Sequence, residues 1–249
     1  MSIDFHHKKN RFSYATRPAN KSWTEAIETL VPIENINKAL DVGCGGGIYS
    51  KALADMGVGS VTGIDFSKAS LEGARENCKE YNNISFEHGN AFDTGLDGNS
   101  FDLVLERALI HHIKDLQACF KEAYRMLRNN GFYIIQDRTP EDCLLGGNDN
   151  HIRGYFFELF PRLVEKETNR RYHSQFVIKT LKTAGFKNIE EVKLWEIRRV
   201  YENKEQLLKD LGERTGRSIL HELDDKELKL LLDYLDESIS TDHNIVEKD

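Results

Sequence analysis

The chain has 249 residues, of which 39% are hydrophobic and 30% charged, so it can bury a core beneath a heavily charged surface. Aspartate and glutamate outnumber lysine and arginine 41 to 34, and the formal charge of -7 gives no general attraction to nucleic acid or anionic lipid. No run of 18 apolar residues indicates a membrane span, and no apolar stretch follows the charged N-terminus as in a secretion signal. We expect a soluble protein without a nucleic-acid or membrane partner.

Four cysteines lie far apart, with no C-x-x-C pair: Cys44, Cys78, Cys119 and Cys143. Neither a zinc knuckle nor a disulfide framework is indicated, and no metal site is expected. The absence of paired cysteines favours a reducing, cytoplasmic location.

Short apolar runs alternate with amphipathic stretches from residue 39 to residue 137, which is typical of βα units that build a parallel sheet. Five strands are predicted at Ala39–Val42, Val61–Ile64, Ile84–His88, Phe101–Leu105 and Phe132–Gln136. Helices are predicted over Ser67–Tyr81, with Ser67 as the N-cap, and over Leu116–Leu127. This order predicts a doubly wound, Rossmann-like α/β sheet that is mostly parallel, with helices on both faces.

The alternation ends after Gln136. An aromatic-rich amphipathic segment around Tyr155–Leu163 predicts a small helical lid inserted at about residues 140–173. Ser174–Ala184 predicts another helix, ended by Gly185.

Two further strands, Ile189–Leu194 and Ile197–Tyr201, are predicted to form a C-terminal antiparallel hairpin. From Lys204 onward the chain has helical propensity, and one helix face carries an apolar stripe of Leu228, Leu231, Leu232 and Leu235. No repeat or linker divides the sequence, so we expect one domain over residues 1–249, with a core at about 38–138 and a C-terminal part at 174–249.

The most informative segment is ALDVGCGGGIYSKAL, residues 39 to 53, in which a predicted strand enters a turn with four glycines and then a helix. Glycine permits a tight turn and lets a ligand approach the backbone, while the helix start offers free N–H groups. A dinucleotide fingerprint would place its third glycine where Ile48 stands. Asp41, two residues before Gly43, is also unfavourable beside a pyrophosphate.

These residues resemble the class I S-adenosylmethionine-dependent methyltransferases, whose first motif is an acidic residue followed by G-x-G-x-G. The resemblance implies S-adenosyl-L-methionine as the cofactor, with Asp41, Gly43, Cys44 and Gly45 in the first motif. It implies that Asp65, after the second strand, binds both ribose hydroxyls, which a carboxylate can accept together. Phe66 would then lie against the adenine.

The resemblance extends over about residues 38 to 138. The segment HGNAFDTG resembles the family's adenine-binding segment, with Asn90 at the acidic position and Ala91 and Phe92 beside it. Glu106 and Arg107 lie at the carboxyl end of the fourth strand, where ligands bind in such sheets. The N-terminal segment FSYATRP, which contains Arg17, folds over the cofactor in related enzymes.

Methyl transfer is an in-line displacement that depends chiefly on alignment and exclusion of water. If the acceptor must lose a proton, His111 and His112, just beyond the fourth strand, are the candidate general bases. Arg17, Arg107 and Arg138 are candidates to bind a carboxylate. The weaker candidates in and beside the lid are Arg153, Tyr155 and His173.

The chain lacks the Asn/Asp-Pro-Pro-aromatic tetrapeptide that follows the fourth strand in family members that methylate exocyclic amines of bases or glutamine amides, so these acceptors are disfavoured. It also lacks a strongly basic extension, which disfavours nucleic-acid substrates. A small-molecule methyltransferase is therefore the leading interpretation. The alternatives are a nicotinamide-dependent oxidoreductase and a non-catalytic protein that binds S-adenosylmethionine or acts as a scaffold. The sequence does not specify the methyl acceptor, the attacked atom or the oligomeric state.

Overall fold

The structure, a computed structural model, describes residues 18–214 and 216–249. Within these residues the chain forms ten α-helices and seven strands, together with short 3₁₀ turns. In chain order they are α1 (Lys21–Leu30), β1 (Lys38–Val42), α2 (Ile48–Asp55), β2 (Ser60–Asp65), α3 (Lys68–Asn77), β3 (Ile84–His88), β4 (Phe101–Arg107), α4 (Leu116–Met126), β5 (Leu127–Gln136), α5 (Pro140–Cys143), α6 (Ile152–Leu159), α7 (Arg162–Thr168), α8 (Ser174–Ala184), β6 (Ile197–Asn203), α9 (Lys204–Gly212), α10 (Asp225–Ser238) and β7 (His243–Lys248).

Packing divides the described residues into two compact units. The sheet unit comprises residues 18–137 and 172–192, and the helical unit comprises residues 138–171, 193–214 and 216–249. The prediction of one domain over residues 1–249 stays a prediction.

The sheet unit contains a five-stranded parallel sheet in the order β3-β2-β1-β4-β5, which confirms the predicted doubly wound fold. Each of the five predicted core strands is present, with its ends within two residues of the prediction, except that β5 begins five residues earlier, at Leu127. Because the strand order runs in opposite directions from β1 and crossovers are right-handed, α2 and α3 lie on one face and α4 on the other. Helix α8 packs on α4.

Local signals in the sequence account for these elements. Strands β1 and β4 are apolar and almost wholly buried, as expected for strands covered on both faces. The Ser67 hydroxyl accepts the Ser70 N–H at 3.3 Å, which confirms Ser67 as the N-cap of α3. Helix α8 ends at Gly185, whose φ of 112° is readily adopted only by glycine.

The helical unit contains α5, α6, α7, α9, α10 and a two-stranded antiparallel sheet of β6 and β7. Its core includes Leu207 and Leu211 of α9 and the predicted stripe of α10, of which Leu228, Leu231 and Leu235 are buried. The predicted helical insertion and C-terminal antiparallel pair are therefore both present.

The partners in this antiparallel pair differ from the prediction. Strand β6 pairs with β7 in a separate sheet, and the predicted strand at Ile189–Leu194 is wrong. Phe186 stacks on Tyr133, and Asn188 has a φ of 54°, which breaks an extended conformation. Residues 190–193 are exposed, including Val192, their one apolar residue, so this segment is not part of a buried sheet.

No helix in residues 18–214 or 216–249 is long and apolar enough to cross a membrane. Across the same residues, no group of three or more histidine, cysteine, aspartate or glutamate side chains is arranged to hold a metal ion. All four cysteines are buried free thiols.

Candidate functional site

The glycine turn joins β1 to α2 at the carboxyl edge of the sheet. The N–H groups of Gly43 and Cys44 donate to the Ile64 carbonyl at 2.8 and 3.0 Å, which fastens the turn to the end of β2. Gly43, Gly45 and Gly47 all have φ between 53° and 76°, a region that strains residues with a Cβ. The backbone path of this turn thus explains three of its four glycines.

Asp65 connects the glycine turn to the start of α3. Its Oδ2 accepts the Gly45 N–H at 2.9 Å and its Oδ1 accepts the Ser67 N–H at 2.8 Å. A carboxylate can accept two hydroxyl hydrogen bonds at once. The accepting carboxylate and the glycine turn therefore fit the ribose of the predicted cofactor.

Asp41 lies inside β1, where its side chain is buried. Burial raises the pKa of its carboxyl to about 6, although the Ser50 hydroxyl, which donates to Oδ2 at 2.6 Å, favours the charged form. The charges of Asp65 and Arg107 act in opposite directions on it. Asp41 thus stabilises the start of α2 through Ser50 and adds negative charge beneath the glycine turn.

The segment after β3 carries the predicted adenine contacts. Asn90 Oδ1 accepts the N–H groups of Phe92 and Asp93 at 2.8 and 2.9 Å, so this amide oxygen shapes the turn. Ala91 is buried, while Phe66 and Phe92 expose 51% and 43% of their surface. Because β2 and β3 are parallel neighbours, with Asp65 paired to His88, two exposed aromatic side chains follow adjacent strand ends.

The end of β4 directs its last two side chains to opposite faces of the sheet. Glu106 is buried against α4, where the Cys119 thiol lies 3.3 Å from Oε1, and burial raises the Glu106 pKa to about 7. The Arg107 guanidinium lies over the Tyr49 ring of α2 at 4.1 Å. Arg107 therefore lies on the face that carries the glycine turn and its helix.

A tryptophan supports this part of the sheet. Trp23 of α1 is fully buried, and its indole N–H donates to Gln136 Oε1 at 2.9 Å. Its ring meets Tyr49 edge to face, with 4.8 Å between centroids. Trp23 thus connects α1 to the end of β5 and to the aromatic ring beneath Arg107.

The two candidate bases differ in their surroundings. His111 lies in a 3₁₀ turn after β4 with only 9% of its side chain exposed, whereas His112 is exposed. His111 Nδ1 is 2.7 Å from Oδ2 of Asp137, which also accepts the His111 backbone N–H at 3.3 Å. Sequence reasoning did not select Asp137, although it is an acidic residue directly after β5, the strand beside β4.

The remaining candidates do not all lie in the sheet unit. Arg138 and Arg153 belong to the helical unit, where both bind Asp249, at 2.8 and 3.2 Å. Tyr155 packs edge to face on Tyr234 in the same unit, while His173 precedes α8. Arg17 lies outside the described residues.

Comparison with known proteins identifies the core. Residues 40–135 match the family of methyltransferase domains. The demethylmenaquinone methyltransferase of Staphylococcus epidermidis is 32% identical over 122 residues, which are 48% of this chain and 51% of that protein. The ubiquinone biosynthesis O-methyltransferase of Pelagibacter ubique is 36% identical over 105 residues, or 42% of each chain. The chain spans about half the length of the curated relatives it matches.

A solved structure extends the likeness to most of the chain. The crystal structure of a methyltransferase ascribed to antibiotic biosynthesis in Anabaena variabilis has a TM-score of 0.72 at 21% identity, over 90% of this chain and 87% of that one. At this identity the likeness establishes the fold. The methyltransferase-domain match over residues 40–135, the fold and the acidic glycine turn agree, and together they support a class I S-adenosyl-L-methionine-dependent methyltransferase domain in this part of the chain.

Proposed function

We propose that the chain transfers the methyl group of S-adenosylmethionine to a small molecule whose attacked atom carries a proton, and that His111 removes this proton. The His111–Asp137 contact carries the proposal. A carboxylate 2.7 Å from Nδ1 accepts a hydrogen bond from it, so Nδ1 holds the imidazole hydrogen. The Nε2 lone pair then serves as the proton acceptor, and the Asp137 charge stabilises the protonated ring.

The other strand ends would hold the cofactor. Asp65 would accept both ribose hydroxyls, the glycine turn would let the ligand approach the backbone, and residues 90–92 with Phe66 would contact the adenine. Arg107 would attract the carboxylate of the cofactor's amino acid portion. When bound, the cofactor supplies the methyl group as an electrophile.

The curated relatives support a small acceptor. One is named for demethylmenaquinone and the other for O-methylation in ubiquinone biosynthesis, so both names denote small molecules. O-methylation also replaces a proton on oxygen, which is the chemistry that a histidine base assists. A cytoplasmic location belongs to this proposal and rests on cysteine spacing.

The first test requires no knowledge of the acceptor. Purified protein is titrated calorimetrically with S-adenosylmethionine, S-adenosylhomocysteine and NAD. We expect saturable binding of the first two compounds and none of NAD. Binding of NAD alone would favour the oxidoreductase alternative and overturn the proposal.

The second test concerns the base. A panel of phenols, hydroquinones, amines and thioethers is screened for formation of S-adenosylhomocysteine, and the best acceptor is used with variants. His111→Ala should lower turnover about 10²- to 10⁴-fold without weakening cofactor binding, because it removes the proton acceptor. His112→Ala is the matched control and should retain turnover. Equal turnover in wild type and His111→Ala, or a preference for acceptors without a proton, would contradict the assignment of His111.

A further inference from the structure

In the loop between β3 and β4, residues 89–100, one carboxylate fastens Thr94 to α4, while Asn99 and Ser100 at the end of the loop donate to the backbone carbonyls of Arg125 and Met126. Glu122 Oε1 accepts the Thr94 N–H at 2.9 Å and the Thr94 hydroxyl at 2.5 Å. Thr94 and Glu122 are both buried, with 6% and 8% of their surface exposed. A buried backbone N–H and a buried hydroxyl therefore share one carboxylate oxygen as their acceptor, and the hydroxyl also lies 3.4 Å from the Met126 sulfur, a weak acceptor.

Arg125 completes the attachment. Its Nε donates to Glu122 Oε2 and its Nη2 to Glu122 Oε1, both at 2.7 Å, and Nη2 also donates to the Leu96 carbonyl at 2.8 Å. These hydrogen bonds from Arg125, together with those from Thr94, lower the pKa of Glu122 to about 2. The carboxylate therefore stays charged at neutral pH.

The attachment lies next to the residues proposed to contact the adenine. Asn90 fixes the turn on one side through the N–H groups of Phe92 and Asp93, and Thr94 follows immediately. Residues 91–93 are thus held between the end of β3 and the Thr94–Glu122 bonds. If Thr94 were released, residues 91–93 could adopt other conformations, and Phe92 would no longer be held where it is proposed to contact the adenine.

We infer that Glu122, which would not touch the ligand, is a positioning residue that holds residues 90–93 in the conformation that binds the adenine end of the cofactor. The inference rests on the proposed adenine site. Glu122→Gln preserves the size of the side chain but replaces an accepting oxygen with an NH₂ group, which faces donors from Thr94 or Arg125. The substitution therefore loosens the loop without opening a cavity.

Asp102 offers a matched control. Its Oδ2 accepts the N–H groups of Asn37 and Lys38 at 3.0 and 2.8 Å, and its Oδ1 binds Arg128 at 2.7 Å. It therefore has the same kinds of partner as Glu122, two donors from another segment and one arginine. It lies at the start of β4, away from the carboxyl edge of the sheet. Asp102→Asn makes the same chemical change there.

The experiment measures the dissociation constants of S-adenosylmethionine and 5′-methylthioadenosine by calorimetry, with hydrogen exchange followed at residues 90–96. We expect Glu122→Gln to weaken both ligands about five- to tenfold and to speed exchange of these amides. Thr94→Val, which removes only the hydroxyl, should also weaken the binding of both ligands, by a smaller factor. Asp102→Asn should leave both dissociation constants unchanged at a temperature where every variant is folded.

Asp65→Ala, measured in parallel, separates this inference from the proposed site. If Asp65→Ala weakens binding and Glu122→Gln does not, the positioning role is wrong while the site stands. Weaker S-adenosylmethionine binding with unchanged 5′-methylthioadenosine binding also overturns the positioning role, because the adenine end would then be unaffected. If Asp65→Ala leaves both ligands unaffected, the proposed site is wrong and the inference falls with it.

Discussion

The helical unit and the β1 and β4 strands of the sheet unit bury carboxylates in opposite ways. In the helical unit, Arg217 is 1% exposed in its side chain and binds Asp210 at 2.7 Å and Glu247 at 2.5 Å. Although burial raises the pKa of Asp210, the hydrogen bond and charge of Arg217 lower it overall. In the sheet unit, Asp41 and Glu106 have hydroxyl or thiol partners, and burial raises their pKa values to about 6 and 7.

Burial alone does not determine whether a buried carboxyl is charged at neutral pH. Burial raises the pKa of all three carboxyls, and a hydrogen-bonded guanidinium reverses the shift only for Asp210. The helical unit therefore keeps fixed charges that hold its strands and helices together. The sheet unit keeps acids that titrate near neutral pH beside the proposed cofactor site.

The largest expected effect on stability comes from removing the buried guanidinium of Arg217. Arg217→Met leaves Asp210 and Glu247 buried without their shared guanidinium, and it removes the 2.9 Å bond to the Tyr201 hydroxyl. We expect a loss of about 3–5 kcal/mol in the free energy of unfolding, measured by chemical denaturation at neutral pH. Arg162→Met is the control, because the Arg162–Glu227 pair is 52% and 31% exposed, and it should cost at most about 1 kcal/mol. Equal losses would show that burial of the pair is irrelevant.

The second prediction tests the opposite behaviour of Glu106. Its folded pKa of about 7 lies above the ordinary 4.5, so its contribution to stability is full below the unfolded pKa and is lost as the pH rises through about 7. Glu106→Gln cannot ionise and should escape this loss. Relative to wild type, the variant should gain up to about 3 kcal/mol of unfolding free energy between pH 4.5 and pH 8. Parallel pH profiles for the two proteins would contradict the raised pKa.

The smallest expected effect concerns Asp41. Ser50→Ala removes the 2.6 Å hydrogen bond that favours the ionised carboxyl. Because Asp41 ionises above a pKa of about 6, the variant should lose about 1–2 kcal/mol at pH 8 and less at pH 5. Thermal unfolding at both values measures the difference, and Ser85→Ala, an exposed serine on β3, serves as the control. A loss that is the same at both pH values would place the effect in helix α2 rather than in the Asp41 charge.

Much of the fold follows from local sequence. The five core strands were predicted because strands buried on both faces give short apolar runs between turn residues. The strand predicted at Ile189–Leu194 failed because Phe186 and Ile189 pack against the core as single side chains, without a neighbouring strand. The spacing of apolar residues alone does not distinguish a strand of a buried sheet from single apolar side chains that pack against the core.

In the candidate site, too, the features set by local sequence were predictable and those set by tertiary packing were not. The glycine turn is recognisable because its residues are contiguous, and Asp65 because it directly follows the second predicted strand at the position that the family resemblance implies. The partners His111 and Asp137 are 26 residues apart, so their contact depends on how the strands and turns pack. Sequence reasoning selected His111 as a candidate but had no local signal for its carboxylate partner.

The intrinsic fluorescence of Trp23 can report on its surroundings at the end of β5. The chain has two tryptophans, and the other, Trp195, is 48% exposed. A soluble quencher such as iodide should therefore quench the fluorescence of Trp195 and not that of Trp23. The variant Trp195→Phe retains one tryptophan, Trp23, which is hydrogen-bonded to Gln136, the residue before Asp137. The fluorescence of that variant makes changes at the carboxyl end of β5 visible in solution without any attached label.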